Sequence, residues 1–458
     1  WMGLWKTIGI ALSYTVWLRL SSVLFGVLSV WLTYCLARRL VGEKAALLAS
    51  GFLALSSFHV YYSQELRMYP LLLTLMLSSF LLFLMMVEKL TVLRGIGLAV
   101  VTGAALLIHY YAFYIIMIEV LWGVYLFVGF RSGRLLGEAA GAAGAGAEGS
   151  GTGVRNIVYA VVSSILSVLF FIPWLVYFMK QSRAQDFTLR VNPSLWNIPE
   201  IFSYIAYGQA VPPVWNQHHI FALMGIIPII VVLLCLCLKG KMAGQVDEGG
   251  VKIFNTCVGR NLAGIYLFTP LLITLAVSYM TRFHIFEFKY FFIICPAFWI
   301  LVSSLIDKVK PAGVKIFITL FFLVLNIFTL CNSQFNAYYY PQDWRKAAAV
   351  VRSGIKPGEL VVVHPSMMAS SFLFYYNDVR DLVPLDFPQD PRAGMLGKSR
   401  GIWFVSTPNH PFVGQAGLVR FLFSSYPSKK IMETENYLPS NVLRIDYFET
   451  KPEENTDR

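Results

Sequence analysis

Long apolar stretches separated by short polar segments recur throughout residues 1–332. A helix that crosses a bilayer needs about 20 mostly apolar residues. The pattern therefore predicts ten membrane spans, although several are short and the stretch 95–129 permits a different division. The predicted spans are 20–37, 45–60, 70–87, 95–110, 111–129, 155–177, 219–238, 262–280, 290–306 and 314–332.

The pattern changes after residue 332, where short strand-like apolar runs alternate with helix-like ones. Alternation of this kind is typical of an α/β domain. The predicted strands are Leu360–His364, Ile402–Ser406 and Val442–Phe448, and the predicted helices are Trp344–Val351, Met367–Tyr376 and Leu418–Tyr426. The predicted fold is therefore mostly α, a polytopic transmembrane helix bundle over 1–332 followed by a small α/β domain over 333–458.

The composition of the 458 residues agrees with a membrane protein. Hydrophobic residues make up 57% of the chain and charged residues only 14%, whereas soluble domains average about 25% charged residues. This difference excludes an ordinary soluble enzyme, a disordered protein and a nucleic-acid-binding module with a solvated basic surface. The net charge of +12 must then be interpreted through its distribution among the loops.

The basic residues between the spans predict an orientation. One set of alternate loops holds 15 Lys and Arg residues, and the other set holds 8. Because short cytoplasmic loops are enriched in basic residues, the first set is predicted to be cytoplasmic. The chain is then a multi-pass protein of the cytoplasmic (inner) membrane, with residues 1–19 and the domain 333–458 on the outer, extracytoplasmic side.

Two of the connections have a distinctive composition. Residues 135–154 are rich in Gly and Ala and predict a cytoplasmic linker. The outer loop 179–218 contains an amphipathic segment, Pro199–Tyr207, that predicts a short helix at the membrane interface.

The densest polar cluster at a span end lies between the second and third spans. Glu65 and Arg67 stand two residues apart there, among several tyrosines and just before Pro70. A carboxylate beside a guanidinium at the membrane boundary could bind a phosphate or orient a hydroxyl. An interfacial ion pair within a belt of tyrosines is the structural alternative.

This cluster belongs to a series of motifs that resembles glycosyltransferase family 39. That family is a branch of the GT-C membrane glycosyltransferases and includes protein O-mannosyltransferases and the lipid A aminoarabinose transferase. The resemblance covers nearly the whole chain and depends on the order of several motifs. The motifs are Arg19–Leu40, SFHVYYSQELRMYPLL at 57–72, IHYY at 108–111, FKYF at 288–291 followed by Pro296-Ala297, and QDWR at 342–345.

The resemblance implies a reaction at the outer face of the membrane. A sugar would pass from a polyprenyl-phosphate donor to an acceptor on a protein, lipid or glycan, with inversion at the transferred carbon. The implied partners are that donor, its acceptor and membrane lipids, without nucleic acid. No nucleotide sugar is required, in agreement with the lack of a DxD motif in the sequence.

Such a reaction needs cations that stabilise the leaving phosphate. Arg67 and Lys289 are the predicted phosphate ligands, and Arg282 is the third candidate. Basic residues at span ends also snorkel to lipid head groups, which is their structural alternative. Aromatic side chains at outer helix ends are predicted to shape the sugar or isoprenyl pocket, with interfacial anchoring as the equal alternative; they are Tyr69, His109, Tyr110 and Tyr290.

The family's catalytic Asp lies in its first external loop. In this chain no acidic residue precedes Glu43, which is predicted to be cytoplasmic. We therefore expect the first span and the catalytic Asp to lie upstream of Trp1, and the chain alone to be inactive. Glu65 is assigned a secondary catalytic role, in which it organises Arg67 or the acceptor.

Two further questions stay open in the sequence. Glu119 lies near the middle of the fifth span, where a carboxylate is either functional or a helix–helix hydrogen-bonding group. A transporter or lipid flippase that uses Glu119 and the cationic span ends is the alternative function. No cofactor is certain; some family members use a divalent metal ion, but the sequence shows no metal-ligand spacing.

Overall fold

The computed structural model describes residues 14–131, 148–184, 193–208, 218–237, 245–246, 252–253, 256–281, 285–336, 343–386, 389–407, 415–434 and 442–450. The chain divides into two compact units, Trp1–Leu330 and Cys331–Arg458.

The first unit is a helix bundle. Within the described ranges, eight segments are long and apolar enough to cross a membrane, and the bent helix pair Glu43–Leu55 and Ser57–Gln64 can form a ninth crossing. Together with the shorter helix Val92–Ile108, these segments correspond to the ten predicted spans. The helices are α1 Tyr14–Val41, α2 Glu43–Leu55, α3 Ser57–Gln64, α4 Tyr69–Glu88, α5 Val92–Ile108, α6 Phe113–Arg131, α7 Glu148–Leu166, α8 Ile172–Ala184, α9 Asn197–Tyr207, α10 His218–Cys237, α11 Thr256–Met280, α12 Cys295–Lys308 and α13 Ala312–Phe335.

Two residues with extended backbone divide the helices near the later site. Ser56 separates α2 from α3, which are bent by 57°, and its hydroxyl accepts a bond from the His59 backbone N–H at 3.5 Å. His109 ends α5, and its Nδ1 accepts the Tyr111 backbone N–H at 3.1 Å. Because each side chain caps the helical segment that follows it, the breaks come directly from these two residues. The ambiguous stretch 95–129 is therefore divided at His109.

Two predicted loops are shorter than expected. Helix α7 begins at Glu148, within the predicted linker 135–154, whose residues up to 147 lie outside the described ranges. The predicted span 155–177 continues through the 3₁₀ turn Ser167–Phe171 into α8, which ends at Ala184 and so extends into the predicted loop 179–218.

Close helix contacts in the bundle depend on glycine. A Cβ atom at Gly225 of α10 would lie 1.7 Å from the Pro199 carbonyl oxygen of α9. The same is true of Gly259 of α11, where a Cβ would lie 1.7 Å from the Leu40 oxygen. Small residues at such crossings let helix backbones approach each other. Helix α9, expected at Pro199–Tyr207, thus packs on α10 and buries its apolar face.

The second unit contains a five-stranded sheet with three helices. The elements are α14 Trp344–Gly354, β3 Leu360–His364, α15 Ala369–Tyr376, β4 Leu382–Pro384, β5 Gly401–Ser406, α16 Gln415–Ser425, β6 Ser428–Glu433 and β7 Arg444–Glu449. The strand order is β4-β3-β5-β7-β6; β4, β3 and β5 are parallel, whereas β7 is antiparallel to both β5 and β6. Two further short strands, β1 Gln245–Val246 and β2 Lys252–Ile253, pair in the first unit.

Alternate residues of this sheet face two separate hydrophobic cores. Val361 and Val363 pack with α14 and α15 on one face, while Val362 packs with α16 on the other. The period of two along a strand explains this division. The mostly helical bundle with a small C-terminal α/β unit confirms the predicted fold class.

Candidate functional site

The predicted Glu65–Arg67 pair occupies the short connection between α3 and α4. Arg67 Nε lies 3.2 Å from Glu65 Oε2, and the Arg67 backbone N–H donates to the Glu65 carbonyl at 2.8 Å. The Arg67 side chain is 50% exposed and that of Glu65 is 25% exposed. The turn therefore buries most of the carboxylate but leaves the guanidinium accessible.

A second pair with the same spacing stands at the start of the span Phe288–Lys308. Lys289 Nζ lies 3.2 Å from Glu287 Oε2 and 5.3 Å from the centroid of the Tyr290 ring. The preceding backbone is fixed by Tyr111, whose hydroxyl donates to the Ile285 carbonyl at 2.5 Å. This second cation is thus presented by a segment held against the bundle.

Aromatic side chains connect the two pairs. The Tyr69 ring lies 6.3 Å from the Tyr290 ring and 6.2 Å from the His109 ring, and His109 and Tyr290 are 5.4 Å apart, all between centroids. Tyr110 stacks on His109 at 4.4 Å, and its hydroxyl donates to the Tyr290 hydroxyl at 3.4 Å. The four predicted aromatic residues therefore form one cluster, which includes residues adjacent to both Arg67 and Lys289.

Three membrane spans begin at this cluster, namely Tyr69–Glu88, Tyr110–Arg131 and Phe288–Lys308. The N-terminal end of a helix carries partial positive charge and unsatisfied N–H groups. Such ends favour anions, phosphate in particular. The backbone therefore adds to the positive potential that Arg67 and Lys289 supply.

The surroundings of Glu65 shift its protonation. Burial raises the pKa of the Glu65 carboxyl above its usual range, and the nearby positive charge of Arg67 opposes that shift most strongly. A hydrogen bond from Tyr61 and the more distant cations Lys289 and Arg19 also lower this pKa. The net rise makes Glu65 a stronger base than an exposed Glu.

His109 is held neutral. Burial, assisted by the positive charge of Lys289, lowers the pKa of its imidazole to about 4. Its Nδ1 accepts the Tyr111 backbone N–H, so the proton of the neutral ring is on Nε2. His109 can therefore donate one hydrogen bond at neutral pH without adding charge.

The structure brings together Glu65, Arg67 and Lys289 with the four aromatic candidates. Arg282 lies outside the described residues. Sequence reasoning missed Glu287, although its Glu-x-Lys spacing repeats the Glu-x-Arg spacing of Glu65 and Arg67. It also did not identify Arg19, Tyr61 and Tyr111 as neighbours of the site; Arg19 and Tyr111 are distant in sequence from the residues they reach.

The sequence left a divalent metal ion possible without naming any ligand for it. Across the described ranges, no three His, Cys, Asp or Glu side chains are grouped so that they could hold a metal ion.

Glu119 lies in a different cluster, inside the bundle. It is completely buried in α6, and its Oε1 accepts the Ser79 hydroxyl at 2.6 Å. The Ser79 oxygen is in turn 2.7 Å from the Thr102 hydroxyl oxygen. These bonds connect α4, α5 and α6, which is the helix–helix role that a buried polar group can have in a membrane.

The N-terminal part of the chain matches a known protein family. Residues 7–140 match the family model described as dolichyl-phosphate-mannose-protein mannosyltransferase. No curated protein matches the chain by sequence.

Solved structures supply the fold. The chain is similar to ArnT from Cupriavidus metallidurans bound to undecaprenyl phosphate, with a TM-score of 0.51 and 13% identity over 94% of this chain and 84% of that one. The apo form of the same protein gives a TM-score of 0.51 at 12% identity, over 93% and 83% of the two chains. An archaeal oligosaccharyltransferase, AglB from Archaeoglobus fulgidus, aligns with a TM-score of 0.46 at 12% identity, over 88% of this chain and 60% of that one. The match over residues 7–140 and the fold shared with ArnT confirm the predicted resemblance to GT-C membrane glycosyltransferases.

Proposed function

We propose that this protein transfers a sugar from a polyprenyl-phosphate donor to an acceptor on a protein, lipid or glycan. The observation that carries the proposal is the juxtaposition of two accessible cations, Arg67 and Lys289, around an aromatic cluster at which three spans begin. A lipid phosphate at the membrane boundary matches that combination of positive charge and apolar surroundings. ArnT, which was solved with undecaprenyl phosphate bound, supports the same ligand class.

Arg67 and Lys289 stabilise the leaving phosphate. When the bond between the sugar carbon and the phosphate oxygen breaks, its electron pair stays on the phosphate. Cations positioned at that developing charge lower the barrier, commonly by a factor of about 10²–10³ for one such group. Arg282 remains the third candidate, on its position in the sequence at a predicted outer span end alone.

The aromatic cluster positions the sugar and the first isoprene units. Tyrosine presents an apolar ring with a polar hydroxyl, which suits a ligand that is part sugar and part hydrocarbon. The neutral His109 contributes a hydrogen-bond donor at Nε2, and Tyr69, Tyr110 and Tyr290 contribute hydroxyls. A neutral donor orients sugar hydroxyls without competing with Arg67 for the phosphate.

Glu65 orients Arg67 and the acceptor. Attack on the sugar carbon from the side opposite the phosphate inverts its configuration, and the acceptor hydroxyl gives its proton to a carboxylate base. Within the described residues, Glu65 is the carboxylate paired with Arg67 at the site. The raised pKa of Glu65 makes its carboxylate a better proton acceptor than an exposed Glu. Its role in organising Arg67 rests on a separate observation, the ion pair between the two side chains.

The distribution of basic residues supports an outward-facing site in the cytoplasmic membrane and an extracytoplasmic C-terminal α/β unit. A transporter or flippase is not favoured, because the family match and the fold are those of glycosyltransferases. Glu119, on which that alternative relied, is bound within the bundle.

The test is a sugar-transfer assay with the protein expressed from its complete reading frame in lipid nanodiscs. Polyprenyl-phosphate sugars should serve as donors, and Arg67→Ala should lower turnover about 100-fold. Arg380→Ala is the matched control, since Arg380 pairs with Asp378 at the same two-residue spacing, 3.0 Å apart, in the second unit. Equal activities of the two variants, or transfer from nucleotide sugars only, would refute the proposal.

A further inference from the structure

We propose that Glu287 is an exchangeable counterion of Lys289. It holds the ammonium group in the unliganded protein and yields it to the phosphate of the lipid donor. This inference rests on the proposed function and gives a positioning role to a residue that sequence reasoning did not select.

The Glu287–Lys289 pair is suited to exchange because it is weak and accessible. The two groups are 3.2 Å apart, and their side chains are 36% and 27% exposed. Ion pairs with this exposure favour the paired state by about two- to fivefold at most. By contrast, Arg39 and Glu88 approach to 2.5 Å with 16% and 18% exposure, as expected for a permanent structural pair.

The backbone around Glu287 does not need to move. Tyr111 holds the Ile285 carbonyl, and the Glu287 carbonyl accepts the Tyr290 backbone N–H at 3.0 Å. Glu287 occupies the N-cap position of the 3₁₀ segment Phe288–Ile294, yet its carboxylate makes no capping bond. Its side chain can therefore leave Lys289 by rotation alone.

The exchange has a consequence for the product. The donor is a phosphodiester with one negative charge, whereas the released polyprenyl phosphate is a monoester that approaches two charges at pH 7. Lys289 attracts the more highly charged product more strongly, and Glu287 competes with both ligands for the Lys289 ammonium group. Glu287 thereby weakens phosphate binding and promotes product release.

The experiment measures binding of undecaprenyl phosphate to the protein in nanodiscs. Glu287→Gln should lower the Kd about two- to fivefold, and in turnover it should lower KM and kcat together because product leaves more slowly. The same substitution in a Lys289→Gln background should have no further effect. Asp307→Asn is the matched control, because Asp307 and Lys315 form a similar pair, 3.3 Å apart, at the other end of the span.

The outcomes separate the two proposals. If the wild-type protein does not bind undecaprenyl phosphate, the proposed function fails and the inference fails with it. If the wild type binds but Glu287→Gln and Glu287→Ala both leave the Kd unchanged or raise it, only the exchange is overturned. A gain in affinity that persists without Lys289 also overturns it, since the effect would then be general charge removal.

Discussion

The span Phe288–Lys308 carries a closely matched ion pair near each end. Lys289 Nζ lies 3.2 Å from a Glu287 oxygen, and Lys315 Nζ, from the start of the next helix, lies 3.3 Å from an Asp307 oxygen. The side chains are similarly exposed, between 27% and 36%. Geometry within the pairs therefore does not distinguish them.

Their surroundings differ. Lys289 lies against the Tyr290 ring and acts electrostatically on Glu65 and His109. Lys315 instead donates a second bond to the Asp307 backbone carbonyl at 3.4 Å and so links α12 to α13. The comparison teaches that a surface ion pair becomes a candidate for function through the groups that converge on it.

The largest expected difference is in turnover. Lys289→Ala should reduce sugar transfer about 100-fold, since it removes a cation from the leaving phosphate. Lys315→Ala should leave transfer within about twofold, because only an exposed helix link is lost. Steady-state assays in nanodiscs check both values.

Exchanging the partners within each pair sharpens this test. Glu287→Lys with Lys289→Glu retains an ion pair but reverses its polarity, as does Asp307→Lys with Lys315→Asp. Only the first exchange should abolish transfer. Comparable loss from both exchanges would mean that the pairs act through folding.

An intermediate effect is expected on acid stability. His109 has a pKa of about 4 in the folded protein, against about 6.5 when exposed. The unfolded chain therefore binds the proton first, and the stability that His109 contributes above pH 6.5 is lost as the pH falls toward 4. The full shift corresponds to about 3 kcal/mol.

Thermal unfolding of the wild type and His109→Gln in nanodiscs, from neutral pH down to about pH 4, measures this effect. The wild type should lose more stability than the variant below pH 6.5. Parallel curves would contradict a neutral, buried His109.

The smallest expected difference is in the stability contributed by the two pairs. Glu287→Gln and Asp307→Asn should each change the free energy of unfolding by less than about 1 kcal/mol, because both pairs are partly exposed. If Glu287→Gln and Asp307→Asn unfold at nearly equal midpoints, the two ion pairs differ in ligand binding and not in stability. A much larger loss for Glu287→Gln would instead indicate a structural role for that pair.

Much of the bundle was predictable because a membrane span needs about 20 consecutive, mostly apolar residues, which can be recognised in the local sequence. Each predicted span has a counterpart in the structure, including the ambiguous pair divided at His109. The shorter linker and outer loop were less predictable, because helix ends depend on capping and neighbouring helices as well as on hydropathy. In the second unit, β4 and β6 were missed: β4 has only three residues, and β6 is an exposed edge strand that lacks a continuous apolar run.

The candidate site was predictable residue by residue but not as an arrangement. Arg67 and Lys289 were selected from motifs at span ends, and Glu65 from its position beside Arg67. Glu287 was overlooked because a carboxylate two residues from a lysine is common at an interface. Its significance depends on Tyr111 and the Ile285 carbonyl, residues 174 positions apart.

By itself, the sequence determined that this is a polytopic membrane protein with a C-terminal α/β unit, since burial of apolar residues in a bilayer depends on their local number and order. It also determined which residues stand at span ends. The tertiary structure alone decided which ends meet, because helix packing depends on close contacts such as Gly225 against Pro199. Only that packing collects three span starts, two cations and four aromatic side chains into one site, where residues far apart in sequence change each other's charge and accessibility.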